Sequence, residues 1–140
     1  MKTVTARWGP ALALMILIFI ISSQPKANIP EFGLWDLFVK KGSHLLGYGL
    51  LGGAMLRGVR GPAPLTLRQM GWAFALTAMY ALTDEYHQTF VTGRGGNLWD
   101  VGVDAAGATI GLTLQGWRLA RLRPASLAAP YQSKSESNRR

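Results

Sequence analysis

A chain of 140 residues has room for one domain, and an apolar share of 49% does not by itself separate it from soluble proteins. It has no cysteine, which excludes disulfide staples and thiolate metal sites. A net charge of +8 would suit nucleic acid, but the cations sit beside apolar blocks in a pattern that argues for a membrane instead.

The first apolar block, ALALMILIFII (Ala11 to Ile21), lies between Trp8-Gly9-Pro10 and Ser22-Ser23-Gln24. With its flanks it reaches the roughly 17–25 residues that cross the hydrocarbon core. Lys2 and Arg7 ahead of it also suit a signal peptide, yet Ser22-Ser23-Gln24-Pro25 is a poor cleavage site, so the segment reads as a retained helix. NIPEFGLWDLFVKKG follows. Asn28 would cap a helix with Pro30 and Glu31 in its first turn, and Phe32, Trp35 and Phe38 recur every three residues. That stripe predicts a short helix in the outer headgroup region; an apolar lip for a lipid-like ligand is the alternative.

The second block, GSHLLGYGLLGGAML (Gly42 to Leu56), is entered through Lys41, His44 and Tyr48, whose spacing places them on one helix face. Lys41 suits a snorkelling anchor and Tyr48 an interface aromatic, whereas His44, about one turn in, should face the bundle interior or a wet cavity. The third block, QMGWAFALTAMYALT (Gln69 to Thr83), leads into Tyr80, Asp84 and Gln88 stacked one turn apart, with Glu85 and His87 to either side. Carboxylates near a helix C-terminus oppose its dipole, so Asp84 and Glu85 call for a nearby cation.

The loop Thr92-Gly93-Arg94-Gly95-Gly96-Asn97 lacks phosphate-loop spacing, but Arg94 offers a planar fork to a phosphate or, internally, to Glu85 or Asp100. In the fourth block, VGVDAAGATIGLTLQGW (Val101 to Trp117), Asp100 suits the positive end of its helix, while Asp104 lies about 6 Å deeper. Such a carboxylate needs a partner: Lys41, Arg94, His44 or a bound cation. Gly49-xxx-Gly53 and Gly107-xxx-Gly111 supply small-residue faces for close packing, within the chain first and between chains second.

Eleven of fifteen cations fall before helix 1, between helices 2 and 3, or after helix 4, and of seven acids only Glu136 shares their side. The positive-inside rule then predicts cytoplasmic N- and C-termini. The expected fold is an all-α membrane protein: four transmembrane helices in a small bundle (about 8–24, 41–57, 68–84 and 100–118), with a short outer interfacial helix between helices 1 and 2. Residues 1–123 would form the membrane domain and 124–140 a disordered cytoplasmic tail. A soluble helical bundle with one anchor or signal helix is the alternative.

Together, KKGSHLLGYGLLG and YALTDEYHQTFVTGRGGNLWDVGVDAAGATIG resemble the VanZ-like family of small bacterial membrane proteins. The family pattern K-x-x-H-x-x-x-Y, then E-x-x-Q-x-F and R, then D, a later D or N, and G-x-x-x-G is met by Lys41, His44, Tyr48, Glu85, Gln88, Phe90, Arg94, Asp100, Asp104, Gly107 and Gly111. Asp104 stands where many relatives carry Asn, and His87 falls outside the pattern, so no metal site is built on it. The resemblance implies a bacterial inner-membrane protein with an outward-facing site. It also implies a link to resistance against teicoplanin, a glycopeptide acting on peptidoglycan precursors outside the membrane.

Three functions compete. The first is an envelope-lipid protein whose pocket of Lys41, His44, Tyr48, Asp84, Glu85, Gln88, Arg94, Asp100 and Asp104 binds or modifies a lipid-linked head group. The second is an enzyme at the same place, with His44 or Glu85 as general base and a hard cation on Asp100 and Asp104; the chain lacks G-x-S-x-G, H-E-x-x-H and a cysteine nucleophile. The third is an accessory subunit or small transporter component, for which no inverted repeat speaks. Membrane lipids or a lipid-linked precursor are the expected partners, with a second copy or another membrane protein as further candidates and no nucleic acid. No cofactor is assigned.

Overall fold

The computed structural model describes residues 4–25 and 36–121, which form four helices: α1 (Val4–Ser22), α2 (Asp36–Arg60), α3 (Leu67–Gln88) and α4 (Leu98–Arg121). The all-helical expectation holds for these residues. Most boundaries move outward: α2 begins at Asp36 rather than near Lys41, taking Phe38 of the aromatic stripe into its first turns, and α3 runs on through Gln88, whereas α1 starts earlier but already ends at Ser22. The interfacial helix expected from Asn28 to Trp35 and the tail 124–140 lie outside the described residues. Among the described residues α1 alone is long and apolar enough to pass as a membrane span by composition, where the sequence reading expected four. The reason is dilution: glycine, alanine and ionisable side chains are spread along α2, α3 and α4.

Local chemistry accounts for the helix ends. Pro10 lies inside α1 and cannot donate to the carbonyl four residues back, that of Ala6; the Arg57 guanidinium donates to that oxygen from α2 at 2.9 Å. Thr66 and Gln69 form a reciprocal capping box at the start of α3, with Thr66 N–H donating to Gln69 Oε1 at 2.8 Å. At the start of α4, the Asn97 side-chain oxygen accepts the Trp99 N–H at 3.0 Å.

α1 and α3 run one way and α2 and α4 the other. Arg7 and Arg57 tie the start of α1 to the end of α2, while Ser22 reaches Asp84 near the ends of α1 and α3. α2 packs on all three other helices and meets α4 in parallel along most of its length. Their seam is built on absent side chains. A Cβ at Gly111 would run into the backbone of Gly49, one at Gly107 into that of Leu45, and one at Gly52 would stand 3.1 Å from the Ala108 carbonyl oxygen. Gly53, paired with Gly49 in the sequence reading, faces open space, so Gly49 and Gly52 form the contact on α2.

The interior mixes an apolar cluster of Tyr48, Leu51, Met55, Leu56 and Leu112 with small and polar residues, Ala73, Thr77, Ala81, Ala108, Asp84 and Asp104. Large apolar side chains point outward, among them Ile16, Leu50, Trp72, Leu82, Leu114 and Trp117. So many exposed large apolar side chains beside buried carboxylates are unusual for a protein folded in water.

Candidate functional site

The alternating directions of the helices put the C-terminal ends of α1 and α3 and the N-terminal ends of α2 and α4 together. All nine residues singled out from sequence gather at this acidic end, in three linked groups.

The deepest group centres on Asp84, 3% exposed. Oδ1 accepts the Ser22 hydroxyl at 2.6 Å, while Oδ2 accepts the Tyr48 hydroxyl at 3.3 Å and the Gln88 amide at 3.1 Å. Its compensation is therefore three neutral donors, not the cation that its place near a helix C-terminus suggested. Ser22 is the residue that sequence reasoning missed. A serine after an apolar block carries no signal for a partner 62 positions away. Tyr80, stacked one turn before Asp84, instead donates to the Met15 carbonyl at 2.6 Å and ties α3 to α1.

The second group joins α3 to the loop before α4. Glu85 accepts the Gln88 amide at 3.2 Å on one oxygen and the Asn97 backbone N–H at 2.9 Å on the other. The loop reaches that position because Gly93 adopts a positive φ of 75° and because Gly96 crosses the end of α3, where a Cβ would lie 2.5 Å from the Glu85 carbonyl oxygen. Arg94 donates to Gln88 Oε1 at 3.2 Å and to the Ile21 carbonyl at 3.4 Å. The internal bridge to Glu85 or Asp100 that the sequence left open is not formed, and among the described residues Arg94 has no ion pair.

The third group lines the α2–α4 seam. At the mouth, Lys41 Nζ meets Asp100 Oδ1 at 2.5 Å, both side chains being part-exposed. One turn deeper, His44 Nδ1 lies 3.1 Å from Asp104 Oδ1. The Asp104 side chain is wholly buried, and its second oxygen, Oδ2, is buried without a hydrogen-bond partner. His44, Glu85 and Asp104 each bring one potential ligand atom to within 4.8 Å of the others. The hard-cation pair suggested by sequence was Asp100 with Asp104; Asp100 instead pairs with Lys41, and Glu85 with His44 approaches Asp104. The second histidine, His87, turns away to Ser23 Oγ, 3.1 Å from its Nε2, and stacks near Phe19.

The arrangement offers a guanidinium without an ion pair among the described residues, a part-exposed lysine and an imidazole around a well of buried carboxylates. Such a set can hold an anionic oxygen at the mouth or a cation within. A family model described as VanZ/LLP1 matches residues 8–119. No curated protein and no solved structure matches the chain.

Proposed function

Because the chain belongs to the VanZ/LLP1 family, we propose that it is an integral membrane protein whose four helices all cross the bilayer, with both termini cytoplasmic and the acidic end outward. In this proposal the polar cluster engages the head group of a lipid-linked cell-envelope precursor, by binding or by modifying it, and so contributes to glycopeptide resistance of the teicoplanin type. The charge partition supports the orientation: Arg7, Arg57, Arg60, Arg68, Arg118 and Arg121 belong to one end of the bundle, and Asp84, Glu85, Asp100 and Asp104 to the other. The outward-facing apolar side chains support the span count, since helices too dilute to pass a hydropathy test still present an apolar girdle to lipid.

The observation that carries the head-group proposal is Arg94. Its guanidinium, held only by neutral oxygens at the edge of the cluster, keeps its charge and its fork for an outside anion such as a phosphate. Lys41 at the mouth and His44 below it would complete the contact with phosphate or sugar oxygens, while the acids set the charge balance.

The test is teicoplanin susceptibility of a sensitive Gram-positive host expressing the wild type, Arg94→Ala or His44→Ala, with membrane abundance followed by immunoblot. The expected result is a raised inhibitory concentration with the wild type that falls to the background level in both variants at unchanged abundance. A well-expressed wild type that gives no protection overturns the resistance role, and protection that survives Arg94→Ala overturns the pocket.

One observation favours an accessory subunit or a small transporter component instead. A groove of about 520 Å³ runs along α2 and α4 between Leu46, Leu50, Gly53, Ile110 and Leu114, and a partner helix could lie there.

A further inference from the structure

We propose that His44, Glu85 and Asp104 form a binding site for one first-row divalent cation, zinc or manganese, at the acidic end of the bundle. Four features of the three side chains lead to it. Their donor atoms converge to within 4.8 Å, and they come from three different helices, α2, α3 and α4, so the convergence is not an accident of sequence neighbourhood. The 3.1 Å between His44 Nδ1 and Asp104 Oδ1 is also close to the edge of a metal's coordination shell, roughly 3.3 Å for ligands held at about 2.0–2.1 Å.

Asp104 supplies the independent sign. Its side chain is wholly buried, and one of its oxygens, Oδ2, meets no donor among the described residues. An orphaned carboxylate oxygen in a dry interior is costly, and native proteins meet such atoms with a donor, a water or an ion. Here a second carboxylate, Glu85, stands beside it and Asp84 lies close by, so a divalent cation offsets more of their like charge than the single His44 imidazole or a neutral water does.

The surroundings resemble the outer partners that orient metal ligands. Glu85 is held on both oxygens, by the Gln88 amide and the Asn97 N–H, and keeps lone pairs for an ion. His44 is part-exposed, which leaves a way in from the mouth. One imidazole and two carboxylates suit zinc or manganese; calcium, which takes six to eight oxygens, is poorly served. Three protein ligands leave at least one coordination position for water or an entering oxygen. The site does not depend on the head-group proposal, because its donors and its orphaned oxygen are there whatever binds at Arg94.

The test uses the full chain, purified in detergent without a polyhistidine tag, stripped with chelator, dialysed against micromolar zinc or manganese and analysed for bound metal. Wild type and His87→Gln are expected to retain about one equivalent, since structural sites of this kind bind with definite stoichiometry. Asp104→Asn, Glu85→Gln and His44→Gln should weaken binding at least about 100-fold, beyond the 10–100-fold that outer partners carry. The melting temperature of each metal-free variant, read from tryptophan fluorescence, identifies any that fail to fold, and the remaining ligand variants then decide. A wild type that retains neither metal overturns the proposal and leaves Asp104 to a buried water. Retention in the folded ligand variants overturns the site. No host or antibiotic enters this assay, so its outcome and that of the susceptibility test can fail separately.

Discussion

α2 and α4 meet in two ways along one seam. From Leu45 to Gly52 on α2 and from Gly107 to Gly111 on α4, the backbones touch with no side chain between them. Toward the acidic end the same two helices are joined by side chains, His44 to Asp104 and then Lys41 to Asp100. The glycine stretch fixes how close the helices come and in what register; the polar stretch uses that register. A change of one residue turns a helix by about 100°, which would carry Asp104 away from His44. Packing at the glycines therefore sets which polar side chains meet further along the seam.

The largest effect should come from breaking the glycine stretch. In Gly111→Leu the new side chain has only the α2 backbone to displace, and overpacking of this kind costs about 1–3 kcal/mol or more. The expected result is loss of monodisperse protein in detergent, or a melting temperature lowered by ten degrees or so, on the scale of about 4–8 °C per kcal/mol for small domains. Gly53→Ala is the control, because nothing lies within 4 Å of the added carbon. Equal melting temperatures for the two variants would separate the register of the seam from its glycines.

A smaller loss is expected at Asp84, where the site leans on α1 rather than on the seam. Asp84→Ala takes from the buried Tyr48 hydroxyl its acceptor and leaves the Ser22 hydroxyl with the Phe19 carbonyl and the Gln88 amide with Glu85, at about 1–3 kcal/mol for each donor that finds no substitute. Ser22→Ala removes one donor and should lower the melting temperature by less. If Ser22→Ala and Asp84→Ala are equally damaging, the network is held from α1 and the seam is not its foundation.

The sequence placed the polar side chains near one another more clearly than it set the number of spans. Helical spacing placed Lys41 and His44 on one face and Asp100 and Asp104 a turn apart, and a parallel α2–α4 pair is all that is needed to match them. Which acid takes which partner was not legible, because that depends on the helix rotation set by Gly49, Gly107 and Gly111. Ser22 was invisible for a related reason: its role comes from α1 lying parallel to α3, and no local pattern encodes the packing of distant helices. The four spans expected from sequence reduce to one candidate by composition, α1, because helices that pack through glycine and alanine give up the leucines that a hydropathy window counts.

The smallest effect belongs to the mouth of the seam. Lys41 and Asp100 make the shorter contact, 2.5 Å against 3.1 Å for His44 and Asp104, yet their side chains are 41% and 34% exposed while that of Asp104 is 0%. Solvent screens the outer pair, so its net contribution is about 0–1 kcal/mol, whereas removing the partner of a buried charge costs roughly 3–5 kcal/mol. Lys41→Met should therefore lower the melting temperature by less than about 5 °C, and less again in high salt, while His44→Ala lowers it by considerably more. Equal shifts for Lys41→Met and His44→Ala would mean that depth along the seam does not set the strength of its polar pairs, and that the contact at the mouth, short as it is, shares the structural weight of the glycines.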